Sequence, residues 1–296
     1  MSKLILLVIL SLISAGSQAK PAPDDAVAVA QTMETAAPSL PVEASPVLDL
    51  NAFSTMEQII PALADKRVVF IGEQHTRYDH HLTQLEIIRR LHALHPQLAI
   101  GMEMFQQPFQ RYLDEYVTGN IDEFSMLRST EYYRRWRMDF RHYAPILRYA
   151  REHGLPVIAL NVPGELSHKV AHVGLDGLSD AERRQLPADI APADAAYRKR
   201  IKAVFDYHPK EEGHDFEQFL EAQLLWDEGM AERAAAFLDI HPEHQLVVLA
   251  GNQHLAWSGT IPQRVQRRAQ VTTAVILNSW SGQVVPGLAD FLLLPE

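Results

Sequence analysis

Val68-Val69-Phe70-Ile71-Gly72-Glu73-Gln74-His75, and far downstream Val247-Val248-Leu249-Ala250-Gly251-Asn252-Gln253-His254, write one phrase twice: an apolar run, a Gly, two polar residues and a His. An unbroken run of Val, Ile and Leu reads as a strand covered on both faces, the mark of a parallel sheet between helices. A Gly at the strand end permits a sharp turn or a close approach of backbone to a neighbour. The two imidazoles, delivered from two strand ends, are therefore expected to meet in one crevice.

Outward from these phrases, Leu98–Met102 and Val157–Leu160 have the same character, and Val271–Leu277 and Phe291–Leu294 extend the sheet edge. Between the first two runs, Leu82, Leu85, Ile88, Leu91 and Leu94 predict one helical face. Helical patterns also run through Gln110–Tyr116, Ile121–Arg128 and Ala144–Glu152, with Gly154 as the stop. Strand and helix in alternation imply a parallel α/β sheet with right-handed crossovers. Residues 177–238 interrupt that rhythm. Ser179-Asp180-Ala181-Glu182 is a capping box, 194–214 is polar, and Phe216–Leu238 carries an apolar stripe. The expected fold is α/β, a mostly parallel sheet flanked by helices, with a helical lobe inserted at about 177–238 of a domain spanning 49–296.

The ends set the cellular context. Lys3, the apolar Leu4–Ala15 and Ser17-Gln18-Ala19 predict a signal peptide over 1–19, too short for a membrane span of roughly 20 residues. Residues 20–48, rich in Ala, Pro, Val and acid, read as a flexible linker. The expected location is therefore exported, periplasmic or secreted. The chain has no Cys, which removes a lipoprotein anchor, disulfides, thiolate metal sites and covalent haem attachment. Its net charge of −10 gives no footprint for nucleic acid.

In open α/β sheets ligands bind beyond the carboxyl ends of the strands. There the sequence places Glu73 and His75, Glu103, Asn161, and Asn252 and His254. Two imidazoles and a carboxylate suit a divalent metal such as zinc held by His75, Glu103 and His254, or a general base with Glu73 assisting. Asn161 and Asn252 are either electrophile-orienting groups or turn and cap formers. Gln223 and Asp227, four apart on the apolar stripe, supply a supporting layer, since a buried Asp needs a donor or a cation. Arg134, Arg135, Arg137 and Arg141 stand among Tyr132, Tyr133, Trp136, Phe140 and Tyr143. That mixture suits a planar ligand bearing carboxylates, such as haem with a Tyr or His on its iron. It equally suits an amphipathic helix with Trp136, Phe140 and Tyr143 turned inward.

These residues together resemble the ChaN-like haem-binding uptake family, within the superfamily of Tiki, TraB and erythromycin esterase proteins. The resemblance rests on Gly72-Glu73-Gln74-His75, His81 and Gln84, Gly101–Phe105, Trp136, Tyr143–Leu147, Ala159–Pro163, Gln223, Trp226-Asp227, Met230-Ala231 and Gly251–His254. It implies an exported protein of haem or iron acquisition, with haem held non-covalently through Tyr or His and possible partners in a second copy or an outer-membrane haem receptor. Tyr143, His81 and Arg137 are the implied haem contacts, with Tyr207 beside His208 as an alternative. The wider superfamily implies a hydrolytic or metal site at His75, Glu103 and His254.

Overall fold

The computed structural model describes residues 53–207, 215–279 and 284–294. The expected signal peptide at 1–19, the linker at 20–48 and His208 lie outside the described residues. The doubled phrase forms two neighbouring strands at the centre of the sheet, β1 (Val68–Glu73) and β4 (Gln245–Gly251). The others are β2 (Leu98–Gln106), β3 (Val157–Asn161), β5 (Thr273–Asn278) and β6 (Phe291–Leu293). Their order is β3-β2-β4-β1-β5-β6, and every pairing is parallel. The strand expected from Val271 begins at Thr273.

Side-chain alternation divides the core into two layers. Val69, Ile71, Ile100, Val247, Leu249 and Ile276 face one way. They pack on α1 (Met56–Ala64), α2 (Tyr78–Leu94) and α6 (Ala144–His153). The same layer takes in α3 (Gln110–Val117), α4 (Glu123–Ser129) and the four-residue α5 (Tyr132–Arg135). Val68, Phe70, Leu246, Val248, Val275 and Leu277 face the other way, onto α10 (Phe216–Ile240) and α12 (Ile261–Ala269). Burial on both faces is why these strands read as unbroken apolar runs.

Two expectations change in detail. On α2, Leu85, Ile88 and Leu91 are buried, but Leu82 and Leu94 are exposed. A step of three falls short of a turn of about 3.6 residues, so the ends of that row rotate off the buried face. The helical stretch expected over 177–238 contains α8 (Asp180–Arg183), opened by the Ser179–Glu182 capping box, α9 (Ala195–Tyr207) and α10. The second half of α10, from Met230 to Leu238, lies on the sheet in the same layer as Phe70 and Val248. The remaining short helices are α7 (Gly164–Val173) and α11 (Asn252–Leu255). Among the described residues no helix is long and apolar enough to cross a membrane.

Candidate functional site

β1 and β4 run side by side one residue out of phase with their shared phrase, so that Glu73 lies opposite Gly251 and Gly72 opposite Ala250. Each glycine is then covered by a polar side chain of the other phrase. A Cβ on Gly251 would stand 3.1 Å from His75 Cε1, and one on Gly72 would stand 2.3 Å from Asn252 Oδ1. The two glycines are small because the other strand's site residue occupies the space.

Around them the carboxyl ends of β1, β2 and β4 bring together Glu73, His75, Glu103 and His254, joined by Tyr143, Asp227 and Tyr197 from the flanking helices, all buried. His75 Nδ1 is 2.5 Å from Glu73 Oε1, and the Tyr143 hydroxyl donates to the same oxygen at 3.5 Å. His254 Nδ1 is 2.6 Å from Asp227 Oδ1, and its Nε2 is 3.6 Å from Glu103 Oε1. The other Glu103 oxygen accepts from the Gly251 N–H at 2.8 Å. The Tyr197 hydroxyl donates to Asp227 Oδ2 at 2.8 Å. His75 therefore stands over Gly251, and both imidazoles set Nδ1 on a carboxylate. Such a partner fixes the ring's orientation and stabilises its charged form.

The electrostatics follow from this pairing. Burial alone would push His254 down, but Glu103 and Asp227 raise it to about 9. Burial also opposes the charge on His75, and Glu73 outweighs it, so His75 lies above the ordinary imidazole value. Burial would raise Glu73, yet His75, His81 and His80 hold it below the usual carboxylate range. His81 goes the other way: burial lowers it despite Glu73. Gln84 donates to the Ile71 carbonyl and turns its oxygen to His81 Nδ1 at 3.0 Å, while His81 Nε2 lies 3.3 Å from the His75 carbonyl.

Other residues singled out by sequence fall into place around this cluster. Asn161 donates to the Glu103 carbonyl at 3.0 Å, and its buried Oδ1 has no partner among the described residues. Asn252 donates to the Asn278 and Ser279 carbonyls, so it ties β4 to the end of β5. Gln223 is buried one turn before Asp227, its amide nitrogen unpaired among the described residues. Among those residues there is also no group of three or more His, Asp and Glu arranged to hold a metal ion. The expectation of a divalent metal on His75, Glu103 and His254 thus meets no three-ligand geometry, because these carboxylates are turned to imidazole nitrogens and a backbone N–H.

The Arg–aromatic segment is not one helix. Glu131 and Arg137 adopt left-handed backbone (φ 51° and 67°) on either side of α5. Tyr132, Phe140 and Tyr143 are buried, while Trp136 sets its ring edge-on against His75 with centroids 4.7 Å apart. Arg135 is held by Glu131, Glu165 and Gln106, Arg134 by Glu131 and Arg141 by Asp139. Arg137 is exposed, and among the described residues its guanidinium donates only to the Arg134 carbonyl. The three implied haem contacts therefore separate. Tyr143 and His81, rings 4.4 Å apart, form the inner wall of the strand-end cluster, and Arg137 faces solvent. Tyr207 ends α9 with its side chain 72% exposed. Tyr197 was missed by sequence reading; its only local signal is Asp194, whose carboxylate accepts the Tyr197 N–H and caps α9.

The sequence model of a family described as "Haem-binding uptake, Tiki superfamily, ChaN" matches residues 59–265. A solved structure of ChaN of Campylobacter jejuni, described as binding heme cofacially, superposes with a TM-score of 0.64 at 17% identity, covering 81% of this chain and 91% of that one. A mutant erythromycin esterase in its open conformation gives 0.47 at 18% identity, covering 78% and 74%. Protein RETICULATA-RELATED 5, chloroplastic, of Arabidopsis thaliana is 31% identical over 129 residues, 41% of this chain but 17% of that protein's length.

Proposed function

This chain belongs to the ChaN haem-binding uptake family of the Tiki superfamily, and from that membership we propose that it binds haem non-covalently. The family match is the observation that carries the reading, since it spans both the strand-end cluster and the Arg–aromatic segment. Burial selects among the residues that sequence suggested. An iron ligand must be reachable by a large planar group, and Tyr143 is 0% exposed with its phenol raised well above its ordinary value by burial and Glu73. Tyr207 is the proposed iron ligand, and Arg137, without a carboxylate partner among the described residues, the proposed propionate contact. Hemin titration should give a saturable shift of the Soret band. Tyr207→Phe should abolish that shift, whereas Tyr143→Phe should leave it intact; equal binding by Tyr207→Phe would overturn the assignment. Export through residues 1–19 and receipt of haem from an outer-membrane receptor belong to the same proposal, checked by the mass of the mature chain and by co-purification with that receptor.

A second reading is favoured by one observation, the pair of buried imidazole–carboxylate contacts Glu73–His75 and Asp227–His254. It is a general acid–base hydrolase without a bound metal. In its neutral form His75, backed by Glu73, takes a proton from water as the water oxygen bonds to the carbonyl carbon, and His254, held charged by Asp227 and Glu103, gives one to the leaving group as the scissile bond breaks. Hydrolysis of ester and peptide panels should be detectable and should fall at least about a hundredfold in His75→Ala. Equal rates in the two proteins would remove this reading.

A further inference from the structure

We propose that Tyr197 is a positioning residue for His254: its hydroxyl holds Asp227 so that the carboxylate fixes the ring and directs Nε2 to the crevice and Glu103. The inference rests on the second, hydrolytic reading.

The connection is continuous and dry. Tyr197 and Asp227 are 2% and 1% exposed. Asp227 has two oxygens and two donors from different parts of the chain, Tyr197 on α9 at Oδ2 and His254 on α11 at Oδ1. Neither oxygen is left over, and neither can rotate without breaking a buried hydrogen bond. On the far side of the ring, Glu103 is itself fixed by the Gly251 N–H. The imidazole is thus gripped between a carboxylate on a strand and one on a helix, and among the described residues only the helical one has a further side-chain hydrogen-bond partner behind it.

Tyr197 is in turn located from several directions. Its N–H is capped by Asp194 at 2.7 Å. Leu220 and Leu224 pack against it. The Arg264 and Arg200 guanidinium groups lie over its ring at 5.3 and 5.6 Å from the centroid. Gly259, in left-handed backbone (φ 81°) that suits glycine, lies against the Tyr197 side chain. Arg264 is anchored by the buried Glu228 and by the Gly259 carbonyl. The phenol oxygen therefore has little freedom, and that rigidity passes through Asp227 to a group facing the site. A misplacement of about 1 Å at such a group can cost catalysis a hundredfold.

Tyr197→Phe keeps the ring and its packing and removes only the hydroxyl. In histidine-labelled protein the wild-type His254 Nδ1–H should give a sharp, slowly exchanging, downfield resonance, identified by its loss in His254→Asn. In Tyr197→Phe this signal should broaden or vanish through exchange with solvent. Where hydrolysis is measurable, kcat should fall roughly ten- to a hundredfold with KM unchanged. A resonance as sharp and as slow to exchange as in the wild type would overturn the proposal. Incorporation of fluorotyrosine, a stronger donor, needs no change of shape and should weaken the Asp227–His254 bond, moving the resonance upfield; no movement would count against the proposal. If the panels show no hydrolysis at all, the second reading fails while the resonance still decides whether Tyr197 positions His254.

Discussion

The strand-end cluster and the Arg–aromatic segment touch through Trp136 and His75, yet they are held together in opposite ways. In the cluster the charges are buried, and beside the local Glu73–His75 pair they face partners from distant parts of the chain: Glu73 with Tyr143, Asp227 with His254, Glu103 with the Gly251 N–H. In the segment from Glu131 to Tyr143 most guanidinium groups close on carboxylates within a few residues, near solvent. Long-range buried pairs define a site because removing one partner strands the other in a low-dielectric interior. Local exposed pairs shape a surface and cost little to lose. The difference teaches where charge counts: buried long-range pairs hold a site together, whereas a run of arginines in sequence closes largely on its own neighbours.

That contrast can be broken by mutation. The largest effect is expected from Asp227→Ala, which leaves the Tyr197 hydroxyl and His254 without their acceptor. Urea unfolding should show a loss of about 3–5 kcal/mol. Next comes pH. His254 is raised in the folded protein from 6.5 to about 9, so its contribution is complete below 6.5 and disappears as pH rises through 9. The thermal midpoint of the wild type should fall across that window, and His254→Asn should flatten the fall; parallel curves would show that the ring is not held charged. Gly72→Ala pushes a methyl into Asn252 and should cost about 1–3 kcal/mol in the same unfolding experiment. At the bottom of the scale, Arg141→Ala removes an exposed ion pair with Asp139 and should leave the melting temperature unchanged. A clear destabilisation there would erase the distinction between the two regions.

Much of the fold was legible because burial on both faces of a parallel sheet writes itself as continuous apolar runs. Four such runs are β1 to β4, with ends extended by a few residues where polar side chains such as Glu73 and Asn161 continue the strand. The site was partly legible for the same reason, since His75, Glu103 and His254 follow the runs directly. Tyr197 was not, because a lone Tyr near a helix start carries no periodic or motif signal. Nor did sequence distinguish Tyr143 from Tyr207, as both are phenols beside a His and only packing separates a buried wall from an exposed helix end.

The sequence alone determined a parallel α/β sheet and which polar residues stand at its strand ends, because local alternation and chain punctuation are short-range properties. Tertiary structure decided the rest: the one-residue offset that sets Glu73 against Gly251, the Asp227 carboxylate that His254 takes, and the surface left to Arg137. Those depend on distances between segments far apart in the chain, and hydrogen bonds and ion pairs form only where packing brings such segments to within about 3 to 4 Å.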